Sequence, residues 1–117
     1  MTLPLNREVL ESVYEFLKTT PPFKSWNLPE GEDMRFHVVR TPNPIAFYRR
    51  EGDVHTISVS SACVGHTATL VEVMAHEMIH LHEALIGLES AAQHGKSFHK
   101  FAVRVCKFHG FDPKGFV

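Results

Sequence analysis

Nine histidines stand among 117 residues, and two of them bracket a glutamate in His76-Glu77-Met78-Ile79-His80. The pattern is H-E-x-x-H, inside a long apolar-periodic run from Leu70 to Leu88. On a helix each residue advances about 100°, so residues four apart lie one above the other. His76 and His80 can then aim two imidazoles at one point. A divalent ion that favours nitrogen ligands needs that geometry, and zinc is the usual occupant. Glu77 is rotated off the ligand stripe, into the position of a general base.

A catalytic zinc ordinarily has three protein ligands and an open fourth position. His94, in His94-Gly95-Lys96-Ser97-Phe98, is the first candidate for the third. The thirteen residues between His80 and His94 suit a helix end, a turn and a return of the chain. Glu83 and His99 are distant alternatives, and Glu89 stands where a distal glutamate ligand would be sought. The pattern H-E-x-x-H-x-x-G-x-x-H fails, because Glu83 occupies the glycine position. Tyr48, His82 and His37 are candidates to stabilise an oxyanion. His55, His66 and His109 read as surface or capping residues.

These groups need elements to position them. Asn6 caps a first helix to about Lys18, whose Val9, Leu10, Val13, Phe16 and Leu17 mark a buried face. Thr19-Thr20-Pro21-Pro22 stops it. The stretch from Phe23 to Asp33 is a loop, with Trp26 as a core plug over the sheet. Three strands are expected at Met34 to Val39, Ile45 to Arg49 and Val54 to Ser60. Thr41-Pro42-Asn43-Pro44 turns the first into the second, and Glu51-Gly52-Asp53 the second into the third. The motif helix follows, with Thr69 and Glu72 as a capping box and Gly87 at its end. Glu72, His76, His80 and Glu83 form a polar stripe within about 80°. Such a stripe on an otherwise apolar helix fits a helix that floors a site.

Ser90 to Lys96 is a small-residue crossover. A last helix from Ser97 to His109 buries Phe98, Phe101, Val105 and Phe108. Its other side carries Lys96, Lys100, Arg104 and Lys107 within about 80°. That stripe is a solvated face or a contact for DNA phosphates. Asp112-Pro113-Lys114-Gly115 is tail. The fold class is α+β: an N-terminal helix, an antiparallel sheet of about three strands, the motif helix and a C-terminal helix, in one domain over residues 1–117.

Composition narrows the function. The net charge of −1 gives no bulk attraction to nucleic acid. No stretch approaches the ~20 apolar residues of a membrane span. The N-terminus shows no secretory signal. Cys63 and Cys106 are too far apart for a ribbon or a C-x-x-C pair, and read as small core residues in a reduced compartment. The cytoplasm is the expected location.

His76-Glu77-Met78-Ile79-His80 followed by His94-Gly95-x-x-Phe98 resembles the SprT-like zinc metallopeptidases, the family that includes Spartan. Thr56-Ile57-Ser58-Val59-Ser60 resembles the strand before the motif helix in that family. The likeness covers about Ile45 to Phe108. It implies a zincin-like domain in which His76, His80 and His94 hold zinc and Glu77 acts as base on protein or peptide substrates. Several members cut proteins crosslinked to DNA. Many also carry a cysteine zinc ribbon or a DNA-binding extension, and neither is present in these 117 residues. Peptidase chemistry therefore carries over better than DNA-linked biology. One rival is a metal hydrolase acting on a non-peptide bond; the other is a non-catalytic, zinc-stabilised module that binds protein or DNA. An intact Glu77 argues against it, since a structural site has no use for a base and usually closes its fourth position.

Overall fold

The computed structural model describes residues 5–88 and 94–116. Helix α1 spans Arg7–Lys18, and the Asn6 side chain accepts from the Val9 N–H at 2.9 Å, as the capping signal required. Its buried stripe is Leu10, Tyr14 and Leu17. Tyr14 takes the place expected for Phe16, which is exposed. The phenol can be buried because its hydroxyl donates to the Pro29 carbonyl at 2.6 Å.

The sheet corrects the expected topology. Strands β1 (Arg35–Val39), β2 (Ala46–Glu51) and β3 (Val54–Ser60) lie in the order β1-β3-β2. β2 and β3 form the expected antiparallel hairpin around Gly52, but β1 pairs with β3 in parallel, so the sheet is mixed. Burial explains the choice. β3 is buried at His55 and from Ile57 through Ser60, so it takes the centre, whereas β1 and β2 carry exposed arginines and serve as edges. The stretch from Thr41 to Pro44 is therefore no hairpin turn. It passes the end of β3, where the Ser61 N–H donates to the Val39 carbonyl and the Cys63 thiol contacts the Pro42 carbonyl. Cys63 is exposed there, while Cys106 is buried.

Helix α2 spans Thr67–Leu85. It begins ahead of the expected Thr69 cap: the Leu70 N–H already bonds to the His66 carbonyl, and Thr69 and Glu72 lie inside the helix. Gly87 ends it as expected. Its φ of 75° lets the Gly87 N–H reach the Ala84 carbonyl and the Leu88 N–H reach the Glu83 carbonyl, the paired bonds of a Schellman ending.

Helix α3 spans Lys96–His109 and stops at Gly110, φ 79°. Its buried arc is centred on Phe98, Ala102, Val105 and Cys106, which leaves Phe108 exposed at the rim and Phe101 half-buried. Helices α1 and α2 pack on the sheet, and α3 packs on α2. Trp26 is half-buried against the helices and not over the sheet. Its indole stacks on His82 of α2 (4.1 Å, 8°) and meets Phe101 of α3 edge-on. None of the helices among the described residues is long and apolar enough to cross a membrane.

Candidate metal centre

His76 and His80 sit one turn apart on α2, and the return of the chain after α2 brings His94 to them just before α3. One nitrogen from each ring lies within 4.8 Å of the others, so the three residues could hold a metal ion. The Nε2 atoms of His76 and His94 are 3.2 Å apart. A tetrahedral zinc with N ligands at about 2.0–2.1 Å would place two ligand atoms about 3.3 Å apart. His76 and His80 are half-buried and His94 is exposed, so the cluster opens to solvent on the His94 side.

Phe98 is the platform beneath. Its ring centroid lies 4.8 Å from that of His76, 4.7 Å from His80 and 4.5 Å from His94. It is fully buried, which fixes one wall of the cluster. The sequence marked it as the last residue of the His94-Gly95-x-x-Phe98 motif and as a buried residue of α3, but not as a wall beneath the three rings.

The electrostatics suit nitrogen donors. Burial lowers the pKa of His76, and its neighbour His94 lowers it further against the opposing hydrogen bond to Phe116. Burial, then His76 and His94, bring His80 down to about 4. Both rings are thus held neutral with lone pairs available, the protonation state a divalent ion requires. The donor set and its spacing fit zinc.

His76 and His80 each have an oxygen behind the ring, as metal-binding histidines usually do. The Nδ1–H of His76 donates to the Phe116 carbonyl at 2.8 Å. His80 Nδ1 lies 3.7 Å from Glu83 Oε1, and the other Glu83 oxygen accepts from the Ser97 hydroxyl at the start of α3. Glu83 therefore lies behind His80 and outside the group of three histidines. His99 is exposed and outside the cluster, and Glu89 lies outside the described residues. Sequence reasoning missed the Phe116 contact, because a backbone carbonyl has no side-chain signature. The helical spacing placed Glu83 on the same stripe as His80, but as an alternative ligand and not as the carboxylate behind the ring.

Glu77 is buried, 5% exposed, and burial pushes its carboxyl up to about 8. Beside a cation the charged form would be favoured again. With metal removed, this residue sets an alkaline limb of stability. Its carboxyl keeps its proton to about pH 8 in the fold but releases it near 4.5 when unfolded. Over that interval the folded state binds more protons, so stability falls as pH rises, by up to roughly 1.4 kcal/mol per pH unit. His80 acts oppositely between its unfolded 6.5 and folded value of about 4: there stability falls as pH drops. Above pH 6.5 Glu77 acts without that opposition. Chelator-stripped protein should lose melting temperature from pH 6.5 to 8, and Glu77→Gln should remove that loss. An unchanged decline in the variant would assign the limb to another group.

The remaining candidates have other work. Tyr48 is half-buried on β2, and its hydroxyl is 2.6 Å from His55 Nδ1. His55 is thereby a buried member of the sheet and not a surface residue. His82 is buried between Trp26 and Phe101, and His37 is exposed in the groove between α1 and β1. His109 is tied to the Thr20 hydroxyl at 3.1 Å and is half-buried, whereas His66 is exposed at the start of α2. Lys96, Lys100, Arg104 and Lys107 are all exposed along α3.

A family model described as the SprT-like family matches residues 24–114. That region contains β1 through α3, the three histidines and Glu77. A search of curated protein sequences finds no match.

Proposed function

The chain is a member of the SprT-like family, and from that premise we propose that it is a zinc-dependent metallopeptidase acting on protein substrates. The observation that carries this reading is the convergence of His76, His80 and His94 on one point, with Glu77 one residue along α2 from the first of them. His76, His80 and His94 would hold the ion. Zinc in that position supplies Lewis acidity, polarising a carbonyl and making water easier to deprotonate. Glu77 takes the water proton and passes it to the departing amine. Its buried setting gives it the low dielectric that strengthens such a transfer.

The outer edge of β2 offers a place for an extended polypeptide. Among the described residues β2 pairs with β3 on one side only, and α2 packs against it. A substrate strand added there would be held by backbone hydrogen bonds, which predicts broad sequence specificity. The test is incubation of zinc-loaded protein with an unfolded polypeptide, with mass spectrometry of the products. New amino and carboxyl termini support the reading. Zinc binding without cleavage would favour the non-catalytic module.

A DNA contact is a separate part of the proposal, favoured by the exposed stripe on α3 that starts two residues after His94. DNA bound by Lys96, Lys100, Arg104 and Lys107 would lie near the cleft, and a protein attached to it would be presented for cleavage. With a net charge of −1, affinity would rest on this stripe and not on bulk charge. Binding should weaken steeply with salt, and each Lys/Arg→Ala change should lower the log–log slope by about one. Titrations at two salt concentrations check this. Identical weak binding by wild type and the four-fold variant leaves the stripe as a solvated face.

A further inference from the structure

The residues after α3, expected to be an idle tail, fold back onto the metal centre. Gly110 turns the chain with its φ of 79°. Phe111 then stacks on His109, with centroids 5.6 Å apart and planes 15° apart. His109 is itself fixed by the Thr20 hydroxyl and packs on Phe23. The next four residues make a turn: the Gly115 N–H donates to the Asp112 carbonyl at 3.1 Å, and the Lys114 N–H to Asp112 Oδ1 at 3.0 Å. Pro113 sits at the second turn position, where its fixed φ is an advantage. The turn delivers Phe116 into the core at 3% exposure, with its ring 5.6 Å from Phe111 and 5.5 Å from His76. Its carbonyl then receives the Nδ1–H of His76.

We propose that residues 110–116 form a positioning strap for the metal centre, in which the buried Phe116 ring anchors the carbonyl that sets the tautomer and aim of His76. A proton held on Nδ1 leaves the Nε2 lone pair facing His94. Without the acceptor, the ring can turn or carry its proton on Nε2, where it blocks a metal. Phe116 lies two residues beyond the region matched by the family model, so the family match does not account for it. The inference rests on the proposed role of His76 as a ligand.

The experiment is zinc competition against a chromophoric chelator, using the full chain. Phe116→Ala should weaken zinc by about 10- to 100-fold, the usual effect of losing an outer-shell partner, and Phe116→Leu should recover most of it. Asp112→Ala loosens the exposed turn without opening the core, and should weaken zinc severalfold even where Phe116→Ala does not fold. Phe36→Ala removes a buried ring that packs on Tyr14, away from the centre; it should lower the melting temperature and leave zinc affinity unchanged. In nuclear magnetic resonance spectra, the His76 Nδ1 proton should exchange slowly in wild type and fast in the strap variants. Tight zinc binding by wild type with less than about threefold loss in both strap variants overturns the strap alone. So does equal weakening by Phe116→Ala and Phe36→Ala. Wild type whose zinc affinity is indifferent to His76→Ala overturns the role of His76 on which the strap depends.

Discussion

Replacing Glu77 by Gln should leave fold and zinc content intact and slow peptide hydrolysis by about 10³-fold, within the 10²–10⁴ typical of a lost general base. The two side chains have nearly the same shape, which matters at a position 5% exposed. Burial already presses the metal-free carboxyl toward its neutral form, so a neutral amide of the same shape suits the metal-free fold. Gln can hydrogen-bond to water but cannot accept its proton. The variant therefore separates chemistry from scaffold. A change in zinc content or melting of the loaded protein would point to a structural part for Glu77. Hydrolysis at the wild-type rate would place the active site elsewhere.

The second large effect is on the metal. His76→Ala, His80→Ala and His94→Ala should each lower zinc affinity by roughly 10²-fold or more. Apparent binding energies of about 10–16 kcal/mol in four-ligand sites imply about 3 kcal/mol per ligand. His94→Ala is the most informative of the three. His94 is exposed and lies outside α2, so its loss opens no hole in the packed helix. Its apo form should melt near the wild-type apo temperature while losing the upward shift that saturating zinc confers. His76 and His80 are half-buried within α2, so removing either also disturbs the packed helix, and its effect on melting will be mixed. Full zinc occupancy in His94→Ala, measured by elemental analysis after dialysis, would remove that residue from the site.

Local patterns carried the parts of the fold that depend on neighbours three or four residues away. The Asn6 cap, the α2 pair His76 and His80, and the Gly87 and Gly110 endings are all of that kind. The parallel β1–β3 pairing was not legible, because period-two alternation is the same for either strand direction. Burial of β3 on both faces puts it at the centre, and the short link from Val39 to Ala46 past its end then sets β1 antiparallel to β2 and so parallel to β3. Tyr14 in place of Phe16 turned on a carbonyl fifteen residues away. His55 looked like a surface residue until the Tyr48 hydroxyl came beside it from the next strand. Within the site, side-chain identity and spacing revealed the candidate ligands and base, whereas the Phe116 brace is backbone chemistry forty residues from the histidine it holds.

The most direct test of the account is cleavage of an unfolded protein by three preparations of the same chain: zinc-loaded, chelator-stripped, and stripped then restored with one equivalent of zinc. Peptide-bond hydrolysis should be present in the first, lost in the second and recovered in the third, in proportion to measured zinc per chain. Cleavage that persists in fully stripped protein, or its absence from protein carrying a full equivalent of zinc on His76, His80 and His94, would contradict it.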